Sequence, residues 1–209
     1  MKEKLKVVAA FALLGLLVLG GFFLVRRTGG AAFEPYRLGF CVSGAVFLLM
    51  LFVPNILWAR RKKPAGYEAA AAQENKVLLL FERAGEAVTT AALAIFPVLD
   101  PAVQRLPEGL HAEARIVFWV LAFALMLLYE GYWVRYFRSA GTMADFYASF
   151  AGFPVAGATL PVLAVLLLGI YGQNAIVIGA AVILGIGHIG IHLGHRKALE
   201  RGSVMLKAK

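Results

Sequence analysis

The chain has 209 residues, of which 61% are hydrophobic and 16% charged, and its mean hydropathy is +0.77. A soluble globular domain of this length is far less apolar, so the composition excludes that class and indicates a polytopic integral membrane protein. The net charge of +9 does not point to nucleic acid: Lys and Arg stand in short clusters between apolar runs, as topology signals and anionic lipid head groups require.

Three lysines within residues 1–6 precede the first apolar run, residues 7–25, which is long enough to cross a hydrocarbon core of about 30 Å. A signal peptide has the same outline, but the length of the run, Arg26 and Arg27 directly after it, and the lack of a clear A-x-A site favour a retained span. After a short Gly- and Pro-containing connection comes a second span, residues 38–59. It holds the lone cysteine, Cys41, expected as a small packing residue, and Pro54-Asn55 near its end. Pro54 opens a backbone hydrogen bond, and Asn55 is placed either to satisfy the freed turn or to face a polar site. Arg60, Arg61, Lys62 and Lys63 follow at once as a cytoplasmic anchor, and residues 64–76 read as a short cytosolic helix.

The third span, residues 77–99, is unusual in carrying Glu82, Arg83 and Glu86, with Glu82, Glu86 and Thr89 on one helical face. An external loop with His111 leads to a fourth span, residues 116–137, late in which stands Glu130, followed by an interfacial aromatic cluster with Arg135. Residues 142–150 combine capping-box spacing at Thr142 and Asp145 with apolar residues at 143, 146, 147 and 150. This predicts a short amphipathic helix on the membrane surface, a connector resting on lipid or a lid. A fifth span, residues 153–171, contains Pro154 and Pro161, and a tight turn joins it to the sixth, residues 175–195.

That last span ends in Gly185-Ile-Gly-His188-Ile-Gly-Ile-His192-Leu-Gly-His195. At 100° per residue the three histidines fall within a sector of about 60°, and Gly187, Gly190 and Gly194 cluster roughly 130° away. Small residues let a neighbouring helix approach closely, and ionisable residues inside a bilayer are functional candidates by default.

The expected fold is therefore all-α: one integral membrane domain, residues 1–209, forming a six-helix bundle. Alternating the loops puts about 15 Lys and Arg on the side of both termini against about 5 on the other, so both termini are expected in the cytoplasm and the protein in the cell's plasma (inner) membrane. With that orientation Glu82, Glu86, Glu130 and His188 share one layer, with His192 and His195 stepping toward water.

A layer of imidazoles and carboxylates can hold a divalent transition metal such as zinc or iron, run acid/base chemistry, or relay protons. The candidate catalytic residues are Glu82, Glu86, Glu130, His188 and His192. Candidate metal ligands are His188, His192, His195 and Glu86, and Arg83 and Arg135 are candidates for an anionic head group. A haem is disfavoured, because one helix supplies all the intramembrane histidines. Three functions follow: an enzyme on a lipid or isoprenoid-like substrate, a small permease using the same residues as a proton or cation relay, or a structural or assembly protein.

Overall fold

The computed structural model describes residues 35–101 and 110–207, side chains at 110–114 and 203–207 excepted. The first expected span, its alternative as a signal peptide, and His111 as a side chain lie outside the described residues. Within them the chain is all-helical: α1 (Val42–Arg61), α2 (Tyr67–Ala71), α3 (Lys76–Ile95), a 3-10 turn (Pro97–Leu99), α4 (Leu110–Arg138), α5 (Met143–Phe146), α6 (Ala156–Tyr171) and α7 (Ala175–Lys207).

Three stretches are long and apolar enough to cross a membrane: Val42–Arg61, Arg115–Arg138 and Ala175–Gly202. Six such spans are not what the described residues contain. In α3, Lys76, Glu82, Arg83 and Glu86 lower the hydropathy, and Pro97 ends the helix at Ile95, with Phe96 extended before it (φ −106°, ψ 90°). The fifth expected span is shortened to the 16 residues of α6, roughly 24 Å at 1.5 Å per residue. Its first residues pair instead as an isolated bridge between Phe150 and Phe153, and Val155 takes φ 40°, which forces the helix to begin at Ala156.

The helix starts follow local chemistry. Asn75 caps α3 by accepting from the Val77 and Leu78 amides, and Asn174 caps α7 by accepting from Ile176 and Val177. Cys41, fully buried, is more than a packing residue: its sulfur accepts from the Gly44 amide at the start of α1. Asn55 lines the cavity described below and donates to the Tyr129 hydroxyl (2.8 Å) on α4; its second bond goes to the Leu51 carbonyl (2.7 Å), not to the Met50 carbonyl that Pro54 frees.

In the bundle α3 packs chiefly on α7 and α4 on α6, while α6 also packs on α7 and α1 covers parts of α3 and α4. The α3–α7 pair is antiparallel and tight. A Cβ on Gly187 would overlap the backbone of Glu82 and Leu78, and one on Gly85 would lie 2.5 Å from the Leu184 backbone. A Cβ on Gly190 would press on the Leu78 side chain at 3.3 Å, so two of the three glycines flagged on α7 admit α3; Gly194 faces open space. Many of the outward side chains of α1, such as Leu49, Val53 and Ile56, are exposed apolar residues, as expected of a lipid-facing helix.

The connector after α4 departs from its expected amphipathic form. The capping box is present, with Thr142 and Asp145 bonding reciprocally, but α5 stops at Phe146 after four residues. Phe146 and Tyr147 do not rest on lipid: both are buried, Phe146 stacked on Trp58 and Tyr147 against the histidines of α7. Arg135 donates to the Asp145 carbonyl and Tyr132 to the Phe146 carbonyl, tying α5 to the end of α4.

Candidate functional site

The close approach of α3 to α7 builds the site. Because Gly187 has no side chain, the Glu82 backbone lies against α7, and the Glu82 carboxylate reaches the next residue, His188: His188 Nδ1 stands 2.5 Å from Glu82 Oε1. Glu82 is 7% exposed. With the Glu82 carboxylate as acceptor, Nδ1 is the donor nitrogen of the His188 ring. Glu86, one turn on, completes a group in which ligand atoms of Glu82, Glu86 and His188 all lie within 4.8 Å of one another.

This group lines a cavity of about 970 Å³. Its polar side includes Glu74, Glu82, Glu86, His188 and His192; Leu51, Val162, Val165 and Leu184 are among its apolar walls. His192 is 7% exposed, its ring 4.5 Å from that of His188, and its Nδ1 is buried without a hydrogen-bond partner. A buried polar atom left unpaired is costly and marks a place where a ligand or water completes the structure.

A second carboxylate–imidazole pair lies toward the α3 start. His195 Nε2 is 3.0 Å from Glu74 Oε1, and the His195 ring stacks on Tyr147 at 5.0 Å. Tyr147 in turn meets His192 edge-on at 5.0 Å, so ring contacts run from His188 through His192 and Tyr147 to His195. Burial, then the charges of Glu74 and Glu82, push the Tyr67 phenol up to about 12, and burial raises Tyr147 well above the ordinary tyrosine range. Both phenols are neutral donors throughout the physiological range.

The structure thus gathers Glu82, Glu86, His188 and His192 and separates the rest. Glu130 does not line the cavity although Tyr129 and Trp133 on the same helix do, because it stands about 100° around α4 from Tyr129. Of the expected metal ligands, His188 and Glu86 belong to the metal-capable group together with Glu82; His192 stands beside it, and His195 belongs to the Glu74 pair.

Arg83 is paired with Glu86 at 2.8 Å, its side chain 67% exposed, and Arg135 is engaged by the Asp145 carbonyl with its guanidinium over the Tyr132 ring. Four carboxylates line the cavity, Glu68, Glu74, Glu82 and Glu86, against Lys63 and Arg83, which makes it acidic within a basic protein. Glu74 and Tyr67 were missed by sequence reasoning: they stand in the expected cytosolic connector, Glu74 just before the Asn75 cap of α3, and no helical period ties them to Glu82.

Comparison with protein-family models, with curated proteins and with solved structures found no match.

Proposed function

We propose that the chain is a multi-pass membrane enzyme that holds a divalent transition metal with Glu82, Glu86 and His188 and works on an amphiphile entering the cavity from the bilayer. The observation that carries this reading is the convergence of those three donors in one cavity. Two carboxylates and one imidazole suit zinc, iron or manganese, and three protein ligands leave coordination positions open, as catalytic rather than structural sites do. A bound metal supplies Lewis acidity and an activated water. The chain's own residues do the rest: Arg83 holds Glu86, and His192 offers an unengaged ring nitrogen beside the group. The apolar walls accept the tail of the substrate.

In this reading α3 and α6 cross the membrane with α1, α4 and α7, and the C-terminus is cytoplasmic. The charge of α3 is supported inside the bundle by α7 and by the cavity rather than by lipid. A second reading, a permease with a proton or cation relay, is favoured by the ring contacts that join the Glu82–His188 and Glu74–His195 pairs.

Metal analysis separates the two. Protein purified without a histidine tag is expected to hold about one metal ion per chain, lost in Glu82→Gln and His188→Ala. Wild-type protein that stays metal-free after incubation with zinc, iron and manganese eliminates the metal reading in favour of the relay.

A further inference from the structure

The mouth of the cavity contains a cation whose surroundings exceed what its structural position requires. Lys63 Nζ lies over two aromatic faces, 5.4 Å from the Trp58 centroid and 5.5 Å from that of Tyr67, and 2.5 Å from Glu68 Oε1. The two rings meet at 4.9 Å with their planes at 81°, so they form perpendicular walls, and Glu68 supplies the counter-charge. All four residues line the cavity.

An ammonium over such faces, beside a carboxylate, is the arrangement by which proteins recognise alkylammonium groups. The preceding residue shows what a structural lysine looks like in this fold. Lys62 Nζ donates to the Phe137 and Ser139 carbonyls at 2.7 Å each and so fastens α1 to the end of α4. Lys63 has no backbone partner of this kind among the described residues, its side chain is 34% exposed, and that of Glu68 is 78% exposed. The Lys63 ammonium is thus free to swing into water.

We propose that Trp58, Tyr67 and Glu68 form a binding site for an alkylammonium head group, taken in this structure by the chain's own Lys63. The ligand class is an amphiphile or small molecule bearing a primary or quaternary amine. The acidic balance of the cavity favours such a head over an anionic one, and the adjoining apolar walls accept its chain. The site is distinct from the Glu82–Glu86–His188 group and stands whether or not that group holds a metal.

The test removes the internal competitor. Tryptophan fluorescence is titrated with choline and with its neutral isostere 3,3-dimethyl-1-butanol, in wild type, Lys63→Met and the double variant Lys63→Met/Glu68→Gln, which keeps Trp58 as reporter, each checked by its melting curve. Lys63→Met is expected to saturate at a choline concentration at least about tenfold lower than wild type, an effect of the size that desolvated cation–π contacts provide. The neutral isostere is expected to give no saturable change, and the double variant to lose the response. Lys63→Gln replaces Lys63→Met if the latter does not fold. Equal responses of wild type and the lysine variant, or equal responses to choline and the alcohol, would overturn the proposal and return Trp58 and Lys63 to the role of interfacial anchors.

Discussion

Gly187 lies directly against the backbone of Glu82, and the carboxylate of that same Glu82 is held by His188, the neighbour of the glycine. The absence of one side chain and the reach of the next are parts of one contact. Replacing Gly187 by Ala forces α3 away from α7 and is expected to destabilise the protein by at least the 1–3 kcal/mol typical of overpacking. Gly194→Ala, with open space around its position, is expected to leave the melting temperature unchanged or slightly raised. Thermal unfolding in detergent compares the two, and equal melting temperatures would show that α3 does not pack at Gly187.

The ends of α1 and α4 hold each other reciprocally. Tyr136 donates to the Lys62 carbonyl at 2.6 Å while Lys62 donates to the Phe137 and Ser139 carbonyls, and Gly141, at φ 70°, turns the chain past the lysine where a Cβ would meet its stem. Lys62→Met removes the donor shared by two carbonyls and is expected to cost about 1–3 kcal/mol, with Tyr136→Phe nearer 1 kcal/mol. Melting curves of the two single variants and the double check this. Strictly additive losses would deny the coupling.

The Asp145 carboxyl is held below its usual range, first by the Thr142 amide and then by the Thr142 hydroxyl. A depressed carboxyl stabilises the folded state above its unfolded value, here 3.8, and that contribution is lost as pH falls through the lower folded value. Hydrogen exchange at residues 142–147 is therefore expected to accelerate as pH drops below about 4, beyond the intrinsic pH trend, with Asp145→Asn exchanging faster near neutrality and lacking the additional step. An unchanged profile in Asp145→Asn would remove the carboxylate from the capping box.

The proposed orientation, drawn from the cations after Trp58 and the basic end of α7, predicts that α2 and the C-terminus are cytoplasmic. Ala69, exposed in α2, tests this by cysteine labelling of intact cells. The background should be Cys41→Ser rather than Cys41→Ala, because a hydroxyl preserves the acceptor for the Gly44 amide. Ala69→Cys is expected to react with an impermeant reagent only after the membrane is opened; rapid labelling of intact cells reverses the orientation.

How much of this was legible depends on how many coordinates a residue pattern supplies. The helical wheel of residues 185–195 gives both the histidine sector and the close approach at Gly187 and Gly190, because both are properties of one helix. Depth along the bundle is a single coordinate: it offered Glu82, Glu86 and Glu130 alike as neighbours of His188, and the structure brings together only the first two, because Glu130 stands off the α4 face whose Tyr129 and Trp133 line the cavity. Gly85 carries half of the α3–α7 contact, yet nothing around it in sequence distinguishes it from any other small residue. Phe146 and Tyr147 fit an amphipathic period that the chain abandons after one turn, and the tertiary contacts of Trp58 and His192 decide their burial instead.

α7 continues without interruption for 33 residues, about 50 Å, carrying the histidines and the basic segment beyond them on one rod. Arg196, just past the site, reaches across to Ser149 in the connector that also supplies Tyr147. A stiff helix passes axial displacement along its length, so a partner or lipid surface that pulls on the basic segment moves His188, His192 and Gly187 together against α3. The register that lets Glu82 meet His188 is thereby mechanically linked to whatever engages the far end of α7.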